Sequence, residues 1–464
     1  MGVYPIYTFS CSNVSIKVSY FRGKGYMLPS PCLFSVRSIR EVMRGNLLIF
    51  TIGDTLRQLS MFITFPFFSL YVQELGGSMV DIGVVNSLRP LMALFAYPIA
   101  GYLASRHSRV KVIAATIYLT APFYLLYVFA RDWRTIALGN LLLGLMTFYF
   151  PASNSLMADS IPPDKRGLAY SLWWAIPSVA GILSPYIGGY LTTMYGVVPA
   201  MRFLYILTVV VAIINGTLSL RFLKEPPREG GGEGSPGVLR MLADSYRDLL
   251  AVLAWLPTGL KAFASMLALS FFFNNMMTSY WVVYSVEALG LTKLQWGTVL
   301  LIAAVVNVVL LLPAGMIVDR MGTKRTITVA LAAAAVPLLL FPFSRGFWDV
   351  TLIFVAMTLA NSVLTSGAPA LMAQMVPSQM RGRVMAALGQ GMLIINIRGS
   401  GGGGPGMGAV LTIPSILGSM AGGYVYEYNP MLPWLLMGAA MLLSAAINAL
   451  LVSVPEPEAR MDTG

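Results

Sequence analysis

Three ionisable side chains lie deep inside apolar stretches of this 464-residue chain, namely Asp54, Arg57 and Arg89. A charge inside a hydrocarbon layer is costly, so such residues by default mark the pathway of an ion or a substrate. Asp54 and Arg57 are three residues apart and therefore share one face of a helix. Asp54 is the best candidate for a proton carrier, and Arg89 could bind an anionic substrate. A purely structural ion pair of Asp54 with Arg57 or Arg89 is the alternative.

The composition explains why these three charges stand out. Hydrophobic residues make up 57% of the chain and charged residues 11%, and the mean hydropathy is +0.72. A soluble domain carries about 25% charged residues, so a soluble enzyme, a disordered chain and a disulfide-rich secreted domain are excluded. Both cysteines, Cys11 and Cys32, precede the apolar body, and the only histidine, His107, lies in a polar loop. We therefore expect no disulfide framework and no histidine-based metal site in the membrane.

Twelve stretches are apolar over the roughly 20 residues that a membrane-spanning helix needs. We number them helices 1 to 12, and they lie at about 46–73, 79–104, 112–130, 135–158, 169–195, 199–220, 254–284, 294–318, 326–343, 350–375, 404–425 and 431–452. The sequence therefore predicts an all-α polytopic membrane protein with twelve transmembrane helices.

The positive charges fix the expected orientation of these helices. If the N-terminus is cytoplasmic, the inner segments hold 22 of the 31 Lys and Arg residues, and the outer loops hold four. An excess of Lys and Arg marks cytoplasmic loops, so we predict a multi-pass protein of a prokaryotic cell membrane with both termini cytoplasmic. The net charge of +12 then reports orientation and contact with the lipid bilayer, and it predicts no nucleic-acid partner.

The chain repeats itself at an offset of 213 to 215 residues. The matched positions are Glu74 with Glu287, Gly83 with Gly297, Gly101 with Gly315, Arg131 with Arg345, and Arg166-Gly167 with Arg381-Gly382. Such an offset predicts two pseudo-symmetric six-helix bundles that arose by duplication, an architecture typical of secondary transporters. The predicted organisation is a cytoplasmic tail at 1–45, bundles at 46–220 and 254–452, a cytoplasmic linker at 221–253 and a cytoplasmic tail at 453–464.

Two segments depart from the repeat. The linker begins with a Gly- and Pro-rich stretch, and residues 238–250 then have the pattern of an amphipathic surface helix. About 20 extra residues in the second half form a Gly-rich insertion at about 390–408, in which Gly401 to Gly404 cannot hold a helix well. We interpret the insertion as a loop or break just before helix 11. It is either a tolerated surface insertion or a functional gate or cap.

The loop between helices 8 and 9 carries the motif of a known family. PAGMIVDRMGTKRT at 313–326 resembles the signature loop of the major facilitator superfamily, and the matching residues are Gly315, Asp319, Arg320, Gly322, Lys324 and Arg325. The first-half equivalent, GYLASRHSRVK at 101–111, keeps Gly101, Arg106 and Arg109, whereas Ser105 replaces the acid and Ser108 the second glycine. PPDKRG, with Arg166 and Gly167, and PSQMRGR, with Arg381 and Gly382, resemble the inner loops after helices 4 and 10. The resemblance covers about 46–455.

The resemblance implies a conformational latch. In this family the acid of the signature loop touches the fifth helix of the opposite half and holds the outward-facing state. Asp319 should therefore face the start of helix 5. The first-half acid would face helix 11, but here Ser105 replaces it and the insertion lies near the same contact. Our hypothesis is a latch that is weakened or rebuilt on one side only.

Helix 5 carries a second partial match. Ser184, Pro185, Gly188 and Gly189 resemble the antiporter motif of drug exporters in this superfamily, although Ser184 replaces the usual glycine. Simple helix packing by small residues is the alternative.

The resemblance also implies that helices 1, 4, 7 and 10 line the transport cavity. The candidate residues on helices 4, 7 and 10 are then Tyr149, Asn154, Asn274, Asn275, Tyr280, Asn361 and Thr365. Helix bridging by single asparagines is the alternative for each.

The sequence predicts a secondary active transporter that works by alternating access. The preferred function is proton-coupled efflux of hydrophobic or amphipathic small molecules. Proton-coupled uptake of a small metabolite is the alternative, with Arg57 and Arg89 as the ligands of an anionic substrate. We expect a monomer with a small-molecule substrate and no cofactor, catalytic residue or metal site. A membrane enzyme and an ATP-driven pump are disfavoured, because the spans hold no paired histidines, metal cluster or phosphate loop.

Overall fold

The fold is built from helices, because inside a hydrocarbon layer each backbone N–H must find its acceptor within its own segment. The structure is a computed structural model, and it describes residues 36–226, 247, 249–377, 379–389, 391, 393, 395–396 and 408–453. Within these ranges the chain forms helices and short connections and no strand. The Gly- and Pro-rich start of the linker, nearly all of the amphipathic segment at 238–250 and the run Gly401 to Gly404 lie outside the described residues.

The N-terminal half contains a short helix, Val36–Val42, and then six long helices. Helix α1 runs through Gly45–Thr64, Phe65–Phe67 and Phe68–Glu74, α2 is Met79–Arg106, α3 is Arg109–Phe129, α4 is Trp133–Ser160, α5 joins Arg166–Ala180, Gly181–Leu183 and Ser184–Tyr195, and α6 is Val197–Phe222.

The C-terminal half repeats this plan with one interruption. Helix α7 is Thr258–Thr278 continued by Trp281–Val283 and Tyr284–Ala288, α8 is Lys293–Met321, α9 is Thr323–Leu340 extended by Phe341–Phe343, α10 is Phe347–Met375, a short helix spans Arg381–Leu388, α11 is Ala409–Tyr428 and α12 is Leu432–Leu451. By length and composition, ten helices in the described part of the chain can cross a membrane. The two remaining long helices are α1 and α7.

The two halves contain matching hydrogen bonds at equivalent positions, as well as matching sequence motifs. Arg166 Nη2 donates to the carbonyl of Ala158 at 3.1 Å, and Arg381 Nη2 donates to the carbonyl of Ala373 at 3.2 Å. Capping boxes begin α2 and α8 at equivalent residues, Ser78 and Thr292. The duplication predicted from the sequence is therefore visible in the local structure of both bundles.

The halves pack against each other at the end of the bundle where α1 ends and α2 begins, which we call the closed end. A Cβ added to Gly83 of α2 would lie 2.5 Å from the carbonyl oxygen of Ser419 on α11. A Cβ added to Gly297 of α8 would lie 2.4 Å from the carbonyl oxygen of Pro185 on α5. Because glycine has no side chain, both helix pairs come into backbone contact.

Hydrogen bonds reinforce the closed end. Gln73 Nε2 donates to Glu287 Oε1 at 2.6 Å, and the backbone N–H of Val80 donates to Glu427 Oε1 at 3.3 Å. Both bonds join the N-terminal half to the C-terminal half.

The opposite end of the bundle, which we call the open end, contains the predicted latch loops. A Cβ added to any of four glycines at this end would meet nothing within 4 Å, and these are Gly101, Gly167, Gly315 and Gly382. The buried core agrees, because one cluster spans both halves while a second, smaller one around Leu47, Trp173 and Leu156 belongs to the N-terminal half alone. The described structure is thus sealed at one end and separated at the other.

Candidate transport site

Asp54 lies at the centre of the N-terminal half, where α1, α4 and α5 meet, and its side chain is 7% exposed. Its Oδ1 accepts hydrogen bonds from Arg57 Nε at 3.0 Å and from the Tyr149 hydroxyl at 3.1 Å. Its Oδ2 accepts a hydrogen bond from the indole Nε1 of Trp173 at 2.7 Å. A buried carboxylate is tolerated because donors from three helices replace its hydration shell.

The backbone next to Asp54 is held by α6. A Cβ added to Gly53 would lie 2.1 Å from Asn215 Oδ1, so only glycine allows α1 and α6 to approach this closely. Asn215 Nδ2 also donates to the carbonyl of Gly53 at 3.2 Å. These contacts fix the position from which the Asp54 side chain projects.

Arg57 forms the ion pair with Asp54 that the spacing predicts. Its Nη2 lies 3.0 Å from Asp54 Oδ1, and its guanidinium stands 5.7 Å from the ring centre of Tyr149. Its side chain is 26% exposed, so Arg57 is less deeply buried than Asp54. The pair is neutral as a unit while Asp54 is ionised.

Arg89 on α2 is half-buried and does not pair with Asp54, contrary to one alternative from the sequence. Its Nη2 lies 3.9 Å from Met146 Sδ, and among the described residues it has no carboxylate partner. Arg89 and Arg57 both lie within electrostatic reach of the Tyr124 hydroxyl. The polar centre of the N-terminal half therefore holds one carboxylate and two guanidinium groups, an excess of one positive charge.

The predicted cavity asparagines of the C-terminal half are bonded to the inserted segment of the chain itself. Asn274 Oδ1 accepts a hydrogen bond from the backbone N–H of Asn396 at 2.9 Å. Asn361 Oδ1 accepts one from the backbone N–H of Ile395, also at 2.9 Å. The side chain of Ile395 is 1% exposed. The interpretation of the whole insertion as a surface loop is therefore wrong, since this part of it lies in the core.

The insertion interrupts the helical chain between the short helix Arg381–Leu388 and α11, so it directly precedes α11 as the sequence predicts. The short helix Arg381–Leu388 ends at Gly389, whose φ is +72°. A Cβ added to Gly408 would lie 2.2 Å from both the carbonyl oxygen of Ala387 and the nitrogen of Gly389. The two ends of the insertion therefore lie side by side. A pattern of apolar residues does not reveal this proximity.

Within the described part of the chain, two predicted path residues bond only within their own helix. Asn275 Nδ2 donates to the carbonyl of Phe271 at 2.8 Å, and Thr365 Oγ1 donates to the carbonyl of Asn361 at 2.7 Å. Asn154 on α4 is exposed and has no hydrogen-bond partner among the described residues, so its amide is available to a ligand.

Tyr280 belongs to the closed end, whereas the family resemblance predicts it in the cavity wall. Its hydroxyl donates to the carbonyl of Met79 at 3.0 Å across the two halves. Its ring is fully buried and stacks on Tyr426 with 4.7 Å between the ring centres. In this conformation the residue seals the interface.

The predicted latch at Asp319 is disengaged. Its carboxylate is exposed and makes no hydrogen bond or ion pair with the described residues, so the expected contact with α5 is absent in this conformation. Arg320, Gly322 and Arg325 beside it are also exposed. The side chain of Ser105 lies outside the description, so the one-sided latch stays a hypothesis.

Arg109 of the first-half loop is bonded within its own half in this conformation. It is buried and forms ion pairs with Asp159 and, at 3.2 Å, with Glu225 Oε1. Its backbone N–H also donates to Glu225 Oε1 at 3.0 Å, and the Ser108 hydroxyl donates to Glu225 Oε2. We call Arg109, Asp159 and Glu225 the open-end bracket, since they tie the loop before α3 to α4 and to the chain after α6.

The sequence does not identify Glu225 as a functional residue, because Glu225 lies in a stretch whose composition predicts a flexible linker. Burial acts to raise its pKa, but the hydrogen bonds from Ser108 and Arg109 outweigh burial and hold the pKa below its ordinary value. The feature of the sequence that could identify Glu225 is its position just after α6, on the same side of the bundle as the loop before α3.

The helix 5 motif lies in the packed closed end. Ser184 is fully buried, and among the described residues its hydroxyl has no partner. Cβ atoms added to Gly188 and Gly189 would lie 2.4 Å and 2.6 Å from the carbonyl oxygens of Ile63 and Lys293. Together with the contact between the Pro185 carbonyl and Gly297 of α8, these positions pack α5 against α1 and α8.

Comparison with known proteins agrees with this architecture. Residues 50–397 match the Major Facilitator Superfamily. The chain belongs to this family. It is a multi-pass membrane protein and a secondary transporter of small molecules, and its family consists of transporters, not enzymes.

Two bacterial relatives are about a quarter identical to this chain over the aligned residues. Multidrug resistance protein MdtG of Enterobacter lignolyticus (strain SCF1) is 25% identical over 352 residues, which are 74% of this chain and 81% of that protein. MdtG of Salmonella typhi is 26% identical over 352 residues, which are 74% of this chain and 84% of that protein.

Solved structures share the fold at lower identity. A bacterial homologue of the human lysosomal transporter Spinster, in an inward-facing and occupied conformation, aligns with a TM-score of 0.65 at 14% identity, covering 89% of this chain and 96% of the other. The human organic anion transporter MFSD10 (TETRAN) aligns with a TM-score of 0.59 at 15% identity, covering 87% and 98%.

Proposed function

We propose that this transporter exports hydrophobic or amphipathic small molecules in exchange for protons, and that Asp54 carries the proton. The observation that carries this proposal is the placement of Asp54, the one carboxylate in the described part of the chain that is buried, at the junction of three helices. A buried carboxylate with a cationic partner facing the cavity is a suitable exchange site.

The proton changes the charge that a substrate meets. With Asp54 ionised, its carboxylate neutralises Arg57 and the polar centre carries one excess positive charge, that of Arg89. Protonation of Asp54 removes the negative charge and releases Arg57 toward the cavity. The cavity then presents two guanidinium groups, so proton binding and substrate binding are coupled through a change of one charge unit.

The direction of transport follows from the orientation. With both termini in the cytoplasm, as the distribution of Lys and Arg favours, the open end faces the cytoplasm and admits substrate from there. The names of the MdtG relatives and the antiporter-like sequence of α5 support export. On this proposal the protein cycles as a monomer between the described state and one that is open at the other end.

A transport assay in proteoliposomes tests the proton site. Lipophilic drugs and small metabolites are first screened for thermal stabilisation of the purified protein, and a stabilising compound is then followed under an imposed pH gradient. Asp54→Asn should abolish acceleration by the gradient, while Asp349→Asn, a matched acid-to-amide change at the exposed start of α10, should keep it. Gradient-driven transport that survives in Asp54→Asn would refute the assignment.

A second candidate function rests on Arg89, which lacks a carboxylate partner among the described residues. Uptake of a small anionic metabolite would use this unpaired charge together with Arg57. In that case Arg89→Gln should raise the KM for an anionic substrate at least tenfold, while Arg89→Lys should raise it less. Equal transport of anions by Arg89→Gln and the parent protein would remove this candidate.

A further inference from the structure

We propose that the inserted segment is a built-in ligand of the C-terminal half. Its backbone at Ile395 and Asn396 binds the amides of Asn274 and Asn361, which would otherwise face the substrate path. Polar side chains that recognise the substrate are then those of the N-terminal half. The inference rests on a transport path between the two halves and is independent of the coupling ion and of the proton role of Asp54.

Four hydrogen bonds connect the segment to the two helices that the family resemblance assigns to the cavity wall. The backbone N–H groups of Ile395 and Asn396 donate to Asn361 and Asn274, as described above. The carbonyl of Asn396 accepts from Trp281 Nε1 at 3.1 Å and from Thr278 Oγ1 at 3.4 Å. The segment therefore bonds to the amide oxygens of both asparagines. A polar ligand would compete with the segment for these two oxygens.

The anchor of the segment is part of the hydrophobic core. Leu393 and Ile395 are each 1% exposed and belong to the main buried cluster. Trp281, which holds the carbonyl of Asn396, is itself packed edge-on against Phe341 and Phe354 at 4.7 Å and 5.0 Å between ring centres. Burial of these two large apolar side chains stabilises the docked segment.

The N-terminal half has no equivalent arrangement among its described residues. The positions that correspond to Asn274 and Asn361 at an offset of 214 are Ser60 and Thr147. Their hydroxyls donate to carbonyls of their own chain segment, Leu56 and Gly144, at 3.1 Å and 2.7 Å. The duplication thus left one half with a charged centre around Asp54 and the other with amides that the polypeptide itself occupies.

Excision of the segment tests the inference directly. Because Gly389 and Gly408 lie side by side, deletion of residues 390–407 rejoins the interrupted helix with little change in its path. In a background of Cys11→Ser and Cys32→Ser, which removes both native cysteines, Asn274→Cys and Asn361→Cys report access to these positions. Met61→Cys, beside Arg57 in the other half, is the control.

The probe is a charged, membrane-impermeant maleimide applied to detergent-solubilised protein that elutes as a single species. We expect each of the two reporter sites to react at least tenfold faster after excision, and the control site to change by less than twofold. Equal reactivity of the reporter sites before and after excision would overturn the inference.

If the excised chain fails to fold, the full chain still decides the matter. Asn274→Cys combined with Asn396→Cys should form an oxidative cross-link, because the two residues are hydrogen-bonded neighbours. The reporter sites alone should also react at least tenfold more slowly than Met61→Cys. Absence of the cross-link, or reporter sites as reactive as the control, would show that the segment does not occupy the amides.

Discussion

The two ends of this bundle use glycine in opposite ways. At the closed end Gly83 and Gly297 bring helices of opposite halves into backbone contact, within 2.5 Å of where a side chain would stand. At the open end Gly101 and Gly315, their partners in the same two helices, face empty space. Because helix packing in membranes depends on small residues at the interface, the unused glycines mark surfaces suited to close contact in another conformation. The comparison indicates that the described state is one of two that the sequence provides for.

A bulky residue at the closed end should have the largest effect, because it separates helices that are in backbone contact only at that end. Gly297→Val places side-chain atoms on the carbonyl of Pro185, at a cost of about 3 kcal/mol, which shifts a conformational equilibrium by roughly a hundredfold. Solvent accessibility of a cysteine introduced by Gln73→Cys should rise accordingly. Gly315→Val is the matched control and should leave that accessibility unchanged, since nothing lies within 4 Å of it. Equal effects of the two substitutions would contradict the distinction between the ends.

The open-end bracket should make the N-terminal half sensitive to acid. The pKa of Glu225 is held below its ordinary value, so its contribution to stability is present above the pKa of the unfolded chain, about 4.3, and is lost as the pH falls through the lower folded value. At pH 7, Glu225→Gln should cost about 1.5 kcal/mol, the low end for hydrogen bonds to a charged group. Melting temperatures of both proteins should converge in acid, and a difference that stays constant down to pH 3 would exclude this role.

Loss of a single hydrogen bond at the closed end should have a smaller effect. Tyr280→Phe removes the donor to the Met79 carbonyl but keeps the stacking on Tyr426, and should weaken the closed end by about 1 kcal/mol. Accessibility of Gln73→Cys again measures the result, with an expected rise of about fivefold. A residue that only lined the substrate path would instead change the KM and leave this accessibility as it was.

Asp319 should have the smallest effect on the described state and a visible one on the other. Because its carboxylate has no partner among the described residues, Asp319→Asn should leave the melting temperature unchanged. If the acid stabilises a helix N-terminus after closure of the open end, the same change should disfavour that state by about 0.5 kcal/mol. Transport would then slow by about twofold, whereas a clear loss of stability in the resting protein would show that Asp319 already has a partner.

The sequence predicts the helices well because their signal is local. A long apolar run determines a spanning helix by itself, and the predicted 46–73 and 79–104 differ from the observed α1 and α2 by one or two residues. The pair of Asp54 and Arg57 was likewise predictable, because helical spacing alone brings residues three apart together.

Features that depend on distant parts of the chain were not predictable. Tyr280 was assigned to the cavity because the sequence does not tell which end of the bundle is closed. The bracket of Arg109 with Glu225 joins residues 116 apart, and no periodicity reports such a contact. The sequence leaves open whether the insertion is a surface loop or a gate or cap, because Gly-rich composition indicates a broken helix but not where the polypeptide goes.

Distances between spin labels at the two ends test the central claim most directly. One pair, Gln73→Cys with Glu287→Cys, spans the closed end at a hydrogen bond between the halves, and the other, Arg166→Cys with Arg381→Cys, spans the open end. In the resting protein, pulsed electron paramagnetic resonance should give a short, narrow distance for the first pair and a long one for the second. When substrate and a pH gradient drive transport, the first distance should lengthen as the second shortens. Distances that change in the same direction, or a closed-end pair that is already far apart at rest, would contradict the assignment of the closed and open ends.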